Sequence, residues 1–441
     1  MSDFVSCDKR GAVSLITVNN PPVNALSAGV RQGLISCLEE ANADGETNIV
    51  VLTGGGRTFP AGADITEFGK PMADPGLHEV IAAYETSAKP VLAALHGTAL
   101  GGGLELALGC DYRCGSADCR VGLPEVKLGI LPGAGGTQRL PRLIGVEAAL
   151  KIICSGDFIP AGQAQSLGIL DKIISGDLAD LVDGAIAYAQ SLAENNAPRR
   201  RIRDMTAKAA PQVFETFKNA IARRARGYLA PFKCIEAIQG AVNLPFDAGM
   251  ANERDLFMEC MNSPQSAGQR HMFFAERESS KVPDVPKDTP VRTIASIGIV
   301  GAGTMGGGIA MNFANVGIRV TIVDVSQEGL DKGLEIIANN YAATVNKGRL
   351  SQQDMDARLS LISGTLDYAG FGQVDMVIEA AFEGMDLKKE IFAKLDAVCK
   401  PGAILATNTS TLDINEIAAA TRRPEDVIGT HFFSPANVMK L

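Results

Sequence analysis

The chain lacks an excess of basic residues, because 41 Lys and Arg stand against 50 Asp and Glu among its 441 residues. Its formal net charge is −9 and its isoelectric point is near 5.2. Nucleic acids and anionic membrane surfaces attract basic proteins, so this balance argues against either partner for the whole molecule. An apolar share of 46% and a charged share of 21% are typical of a globular protein.

The chain also lacks paired cysteines. None of its nine cysteines forms a Cys-x-x-Cys motif, and the odd count favours a reducing compartment. Cys110, Cys114 and Cys119 form the one cluster, which has neither the close pairing nor the fourth ligand that a zinc site needs. We interpret them as small core residues, and no metal is predicted.

No leader and no uninterrupted membrane-length apolar run is recognisable. The N-terminus, Met1 to Phe4, has neither a basic start nor an apolar core. The apolar stretch from Pro90 to Cys110 contains His96, Glu105 and five glycines, which are costly in lipid. We therefore expect no membrane span and a cytoplasmic location, or a peroxisomal one if the source is eukaryotic.

Two glutamates, twenty positions apart, lie in apolar, glycine- or proline-containing surroundings. Glu105 follows Gly101 to Leu104, and Glu125 lies in the segment Gly122 to Val126. An ionised carboxylate without partners is costly to bury, so such groups are usually paired, neutralised or used in chemistry. The pair suggests acid/base catalysis.

The first part of the chain alternates short β-branched runs with helical patterns, which predicts an α/β fold. Val13 to Val18, Ile49 to Thr53 and Val91 to Ala94 are predicted strands, and Val30 to Asn42 is a predicted amphipathic helix. A further helix is predicted from Leu104 to Gly109.

The pattern is mainly helical from Leu181 to Glu276. Arginines between Arg199 and Arg226 suggest a phosphate site, but a solvated helical face is the favoured interpretation. A charged, proline-punctuated run from Glu276 to Pro290 is typical of a linker. The α/β pattern then restarts at Ile294, without an internal repeat of the first part.

Two glycine-containing turns precede the acids, at Phe59 to Asp64 and at Leu100 to Gly103. Glycine allows the backbone to approach a ligand closely, so peptide N–H groups are available to bind an enolate or thioester oxygen. Gly102 also lies just before the predicted helix, whose N-terminal dipole favours negative charge.

Three motifs, Phe59 to Asp64, Ala99 to Ala107 and Val121 to Leu143, resemble the enoyl-CoA hydratase family, which has the crotonase fold. The resemblance implies that the N–H groups of Ala63 and Gly102 form an oxyanion hole. It also implies that Glu105 and Glu125 are the acid/base pair that hydrates a 2-enoyl thioester or isomerises a 3-enoyl one. The residues leave open which glutamate holds the proton.

A second glycine motif, Gly-x-Gly-x-x-Gly, follows the predicted strand Ile294 to Val300 and opens a helix. In this context it predicts a dinucleotide site built from the turn residues and an acid at the end of the next strand. The predicted cofactor-binding residues are Gly301, Gly303, Thr304, Met305, Gly306 and Asp324. The acid favours NAD over NADP, because a carboxylate repels a 2′-phosphate.

The block from Val300 to the last residue resembles the L-3-hydroxyacyl-CoA dehydrogenases. The resemblance implies that His431 is the base and that Ser410 binds the substrate oxygen. It further implies that Asn408, nearby, contacts the substrate and that Glu383 shapes the site as a cofactor-binding residue. Of the four histidines, only His431 lies in a motif of this resemblance.

Together the two resemblances indicate the multifunctional enzymes of fatty-acid β-oxidation, acting on acyl-CoA substrates with NAD and with possible partners among other β-oxidation enzymes. We expect a crotonase-fold domain at 1–190, a helical segment and linker at 191–291, and a Rossmann domain at 292–441. The sequence ends ten residues after His431. The resemblance implies that a histidine-orienting glutamate and a helical domain follow in the family, so we expect an impaired dehydrogenase half.

Two other hypotheses remain. One is a binding or scaffold protein for acyl-CoA and NAD without dehydrogenase turnover. The other is a crotonase-fold decarboxylase or hydrolase, which is disfavoured because both glutamates are present. Chain-length preference and oligomeric state have no sequence signature.

Overall fold

The computed structural model of the chain describes residues 4–67, 73–279, 281–286 and 288–439. The chain divides into two compact units, Met1–Pro283 and Asp284–Leu441. The boundary falls within the predicted linker. The linker begins later than expected, because a helix continues to Ser279. Ser280 and Lys287 of the linker lie outside the described residues.

The first unit contains two sheets among its described residues. The larger has the strand order β1-β2-β3-β4-β6-β9 and the smaller β5-β7-β8. Their strands are β1 (Val5–Arg10), β2 (Val13–Val18), β3 (Ile49–Gly54), β4 (Val91–Leu95), β5 (Thr98–Leu100), β6 (Tyr112–Ser116), β7 (Arg120–Gly122), β8 (Ile159–Pro160) and β9 (Lys172–Ile174).

Helices surround these sheets. They are α1 (Ala28–Ala43), α2 (Leu77–Glu85), α3 (Gly102–Leu108), α4 (Gly136–Ile144), α5 (Val146–Ser155), α6 (Ala161–Ser166), α7 (Leu178–Glu194), α8 (Pro211–Ile221), α9 (Ala230–Asn243), α10 (Phe246–Met261) and α11 (Pro264–Ser279). The predicted strands and the helix α1 are confirmed to within two residues. Helix α3 starts at Gly102, two residues earlier than predicted, so Gly102 lies in its first turn.

The centre of the large sheet is buried on both faces. All six residues of β3 are buried, as is usual for a parallel strand covered by helices on both sides. On one face Val50 and Leu52 belong to a core shared with α1. On the other face Val51 packs in a cluster with Ala185 and Ala189 of α7.

The helical segment after α7 is part of the first unit. Cys234, Ile238 and Leu256, from α9 and α10, belong to the same hydrophobic core as the strands. Both helices also contact α4, which follows the segment that carries the predicted catalytic motif. The segment therefore supplies one wall of the region around Glu105.

Two arginines of this segment, Arg199 and Arg200, differ from both sequence interpretations. Arg199 pairs with Asp111 at 2.7 Å and Arg200 with Asp171 at 2.6 Å. These residues precede a short 3-10 turn and do not form a helical face. Their charges are neutralised within the fold, so they act as structural ion pairs.

The second unit has a parallel sheet with the strand order β12-β11-β10-β13-β14-β15. This doubly wound order places a topological switch point between β10 and β13. The strands are β10 (Ser296–Val300), β11 (Arg319–Val323), β12 (Ile362–Thr365), β13 (Met376–Glu379), β14 (Ile404–Thr407) and β15 (Val427–Gly429). The helices are α12 (Thr304–Asn315), α13 (Gln327–Asn346), α14 (Gln352–Leu359), α15 (Met385–Val398) and α16 (Ile414–Ala418).

In the part of the chain that the structure describes, no helix has the length and apolar character needed to cross a membrane. The cysteines predicted to be core residues, Cys110, Cys114 and Cys119, are buried and free.

Candidate functional site

A cavity of about 190 Å³ opens in the first unit where the two glycine turns meet. Its wall includes Ala63, Gly102, Glu105 and Glu125, all of which the sequence predicts as site residues. The remaining lining is mostly apolar, with Leu77, Ile65, Leu128, Ile130, Phe257 and Met258. The cavity therefore combines a small polar centre with apolar walls, the usual composition of a small-molecule site.

The two glycine turns place their backbones against each other. Gly62 and Gly101 have positive φ angles of 126° and 51°, which side-chain-bearing residues rarely adopt. A Cβ atom at Gly102 would lie 3.3 Å from the backbone nitrogen of Ala63. As the first residue of α3, Gly102 has an N–H group that no helical carbonyl can accept. The structure thus brings together the two predicted oxyanion-hole residues.

Glu105 lies on α3 and is 2% exposed. Its Oε1 atom accepts hydrogen bonds from the backbone N–H groups of Ala134 and Gly136, each at 2.8 Å. Burial raises the pKa of Glu105, whereas these two hydrogen bonds oppose the rise because they stabilise the charged form.

Glu125 lies in the 3-10 turn Pro124–Leu128, beside Gly101. Its Oε2 atom is buried and has no hydrogen-bond partner among the described residues. Burial and, next, the charge of Glu105 raise the pKa of Glu125 well above its usual value. Of the two carboxyl groups, Glu125 is therefore the one favoured to hold a proton.

The sequence analysis missed a third buried glutamate at this site. Glu253 of α10 is fully buried and accepts hydrogen bonds from the backbone N–H groups of Gly135 at 2.7 Å and Thr137 at 3.0 Å. Burial and, next, the charge of Glu105 raise the pKa of Glu253 to about 8. The sequence could have indicated that Glu253 is buried, because it lies on the same face of an amphipathic helix as Gly249, Leu256 and Cys260, which are also buried.

In the second unit the glycine motif forms the turn between β10 and α12. Gly301 has a φ of 102°, and a Cβ atom at Gly306 would lie 1.8 Å from the carbonyl oxygen of Gly301. A Cβ atom at Gly303 would meet no atom within 4 Å, so the backbone there is open to a ligand. Thr304 and Met305 form the first turn of α12.

Asp324 directly follows β11 and faces this turn. Its Oδ2 atom accepts a hydrogen bond from the N–H group of Ala302 at 2.8 Å. The acid, the glycine turn and the helix N-terminus thus lie together at the carboxyl edge of the sheet, as the sequence predicts.

A second polar group lies at the same edge, after β14 and β15. Ser410 Oγ and His431 Nε2 are 3.1 Å apart. Glu383 Oε1 accepts the N–H group of Ser410 at 2.9 Å, and Asn408 Oδ1 accepts that of Phe432 at 2.8 Å. The structure therefore brings together all four residues that the sequence predicts here.

The sequence analysis missed a buried ion pair below this group. Lys388, 1% exposed, donates to both carboxylate oxygens of Glu379 at 2.8 Å and lies 3.3 Å from Glu383. A lysine followed by another lysine in an amphipathic helix has no sequence signal that distinguishes a buried residue from an exposed one. Lys388 fixes the carboxylate that binds Ser410.

Within the described ranges, no group of three or more His, Cys, Asp or Glu side chains is arranged to hold a metal ion.

The first unit carries two acids, two adjacent N–H groups and an apolar cavity, and the second carries a dinucleotide turn with a serine–histidine pair. Comparison with known proteins agrees with this division. Residues 8–232 match the family described as enoyl-CoA hydratase/isomerase, and residues 296–441 match 3-hydroxyacyl-CoA dehydrogenase, NAD binding domain. The chain belongs to the enoyl-CoA hydratase/isomerase family. The predicted fold class, a crotonase fold followed by a Rossmann-type domain, is confirmed.

Individual relatives resemble nearly the whole chain. Over 98% of its own length, the present chain is 44% identical to the peroxisomal bifunctional enzyme of Cavia porcellus and 42% identical to that of Homo sapiens. A glyoxysomal fatty acid beta-oxidation multifunctional protein of Brassica napus is 37% identical over 97%. The chain spans about 60% of the length of these relatives.

Proposed function

We propose that the first unit hydrates 2-enoyl-CoA thioesters to 3-hydroxyacyl-CoA, and that the second unit oxidises this product with NAD, as consecutive steps of fatty-acid β-oxidation. One observation carries the proposal: a buried and a half-buried glutamate with different hydrogen bonding share one apolar cavity with two adjacent glycine-turn residues. The descriptions of the two matching families support this pair of reactions, and the name of the Brassica napus relative supports fatty-acid β-oxidation.

The N–H groups of Ala63 and Gly102 are proposed to bind the thioester oxygen. Withdrawing electrons from this carbonyl makes Cβ of the enoyl chain electrophilic and stabilises the negative charge that develops on the oxygen. Removing one such donor typically costs on the order of 100- to 1000-fold in rate. The first turn of α3 adds a favourable dipole at the same point.

Glu105 is proposed to be the base and Glu125 the acid of hydration. Two N–H groups donate to Glu105 and favour its ionised form, so it is proposed to take a proton from water as the oxygen attacks Cβ. Among the described residues the buried Oε2 atom of Glu125 has no hydrogen-bond partner, which favours the protonated form, so Glu125 is proposed to protonate Cα. The same two groups can transfer a proton between Cα and Cγ, which is the isomerase reaction of the family.

The second unit is proposed to bind NAD at the turn from Gly301 to Gly306. The open backbone at Gly303 fits a pyrophosphate group, and the N-terminus of α12 favours its charge. Asp324 is proposed to bind ribose hydroxyls and to repel a 2′-phosphate, which favours NAD over NADP. NAD, when bound, supplies the hydride acceptor.

His431 is proposed to remove the hydroxyl proton of the 3-hydroxyacyl substrate, and Ser410 to hydrogen-bond the same oxygen. Asn408 holds the backbone beside His431, and Glu383 holds that of Ser410. The names of the relatives also favour a peroxisomal location in a eukaryotic cell.

A single assay tests both parts of the proposal. The chain is mixed with a 2-enoyl-CoA and NAD, and the absorbance of the conjugated thioester and the formation of NADH are followed separately. We expect the conjugated thioester to disappear. NADH formation would support the second activity in this chain, and its absence would restrict the proposal to hydration. If neither signal changes, the proposal fails and the binding-protein hypothesis is favoured.

A further inference from the structure

The turn Ala134–Thr137 lies between two buried carboxyl groups, those of Glu105 and Glu253. Its successive backbone N–H groups point alternately to the two glutamates. The first and third donate to Glu105 Oε1, each at 2.8 Å. The second and fourth donate to Glu253, at 2.7 and 3.0 Å. The backbone that binds one carboxylate is therefore itself bound from the other side.

Glu253 reaches this turn from α10, more than a hundred residues further along the chain. It is 0% exposed, and its Oε2 atom also hydrogen-bonds the hydroxyl group of Thr137. Glu253 does not line the cavity, whereas the neighbouring Phe257 does. Its contacts are thus with the support of the cavity and not with the space that a substrate fills.

The buried cation Arg139 does not explain the presence of Glu253. Arg139 makes two hydrogen bonds to Glu85, at 3.0 and 2.9 Å, and so already has a carboxylate partner. The hydrogen bonds of Glu253 all go to the turn and to Thr137. Without Glu253, two N–H groups would be buried and unsatisfied, and the turn would relax to find other acceptors.

We propose that Glu253 is a positioning residue for hydration: it holds the turn Ala134–Thr137 so that the first and third N–H groups meet Glu105. The inference rests on the proposed hydratase function. Because Glu253 belongs to α10, this role makes the helical segment part of the proposed hydratase site. A misplacement of about 1 Å at a catalytic group can cost on the order of 100-fold in rate.

The test compares Glu253→Ala and Glu253→Gln with Glu259→Gln in the full chain. Glu259 lies on the same helix, is about half exposed and pairs with Lys233, so it is the matched control. We expect Glu253→Ala to lower kcat for hydration by about 10- to 100-fold with KM changed much less, because Glu253 does not line the cavity. Glu253→Gln keeps one acceptor oxygen, but its NH₂ group faces a backbone N–H group that needs an acceptor. We therefore expect its kcat to lie between those of the unchanged chain and Glu253→Ala.

Crystal structures of the two Glu253 variants provide a readout that needs no turnover. We expect at least one of the hydrogen bonds from Ala134 and Gly136 to Glu105 to be lost in Glu253→Ala, while Glu259→Gln retains both. If both bonds remain and kcat is unchanged, the inference is wrong although the hydratase proposal stands. If the unchanged chain does not hydrate 2-enoyl-CoA, the proposed function fails, and retention of both bonds in the variant would separately overturn the positioning role.

Discussion

Glu105 and Glu125 share one cavity but differ in their hydrogen bonding. Two backbone N–H groups donate to Glu105, whereas Glu125 has a buried oxygen with no hydrogen-bond partner in the part of the chain that the structure describes. Two like charges close together in a poorly solvated site do not ionise independently. The environment therefore makes two chemically identical side chains differ, in keeping with the proposed roles of Glu105 as base and Glu125 as acid.

Replacing either glutamate with glutamine tests these roles. Glu105→Gln removes the base and Glu125→Gln removes the acid, while each keeps the side-chain volume. We expect each to lower the hydration rate by about 100- to 10,000-fold, the range for general acid–base groups. The rate is measured as loss of the conjugated thioester, with circular dichroism to check folding. Near-normal turnover in either variant would remove that residue from the mechanism.

The raised pKa of Glu125 also predicts an effect on stability. The folded chain holds this proton above the pH at which the unfolded chain releases it, so the free energy of unfolding falls as the pH rises above about 4.5. Glutamine imitates the protonated form and has no such dependence. We therefore expect the Tm of Glu125→Gln, relative to the unchanged chain, to increase with pH.

Thermal unfolding of both proteins from about pH 5 to pH 8 measures this difference. Glu40, which is exposed on α1, supplies a control as Glu40→Gln. A Tm difference that is constant over the range would show that Glu125 is ionised in the folded protein.

At the scale of elements, both sites lie where a strand or turn meets the start of a helix. Gly102 opens α3, Gly136 opens α4 and Thr304 opens α12. Helix N-termini carry unpaired N–H groups, so they are suited to carboxylate, oxyanion or phosphate groups. The glycine patterns in the sequence predict two of these three places, because their function is carried by the local backbone.

The glycines of the second unit are expected to respond differently to alanine. A methyl group at Gly306 would lie 1.8 Å from the oxygen of Gly301, so Gly306→Ala should destabilise the unit by roughly 2 kcal/mol or more. Gly303→Ala meets no protein atom within 4 Å and should fold normally, yet weaken NAD binding because the methyl group occupies the proposed pyrophosphate position.

Thermal unfolding and NAD titration by calorimetry measure the two effects. Gly384, which also has open space around its Cβ position, provides the control as Gly384→Ala. Normal NAD affinity in Gly303→Ala would mean that the pyrophosphate does not approach this turn.

At the scale of the whole molecule, the chain consists of two units whose boundary follows Pro283. The sequence suggested 1–190 as the first domain, but the core of the first unit includes Ile238 and Leu256 from the later helices. Those helices carry apolar surface that the strands need for burial. Whether residues 1–190 form a domain depends on whether they fold stably without these helices.

Two shortened chains answer that question. We expect residues 1–283 to fold and to hydrate 2-enoyl-CoA, because they contain the complete first unit. Residues 1–190 lack α8 to α11, so part of the core would be exposed and Glu253 absent, and we expect aggregation without activity. Size-exclusion chromatography, circular dichroism and the hydration assay compare them. A monomeric, active 1–190 would show that the helical segment is dispensable.

The sequence alone predicted the order of the two folds, the strands β2, β3, β4 and β10 and the dinucleotide turn, because these depend on local apolar periodicity and on glycine at fixed spacing. The catalytic roles were implied by the resemblance to two families. Tertiary structure alone decided the contributions of Glu253 and Lys388, which reach their partners through packing between distant elements. It also decided which glutamate favours a proton, since Glu105 and Glu125 have the same intrinsic chemistry. Burial and hydrogen-bond partners distinguish them, and both arise only when the chain is folded.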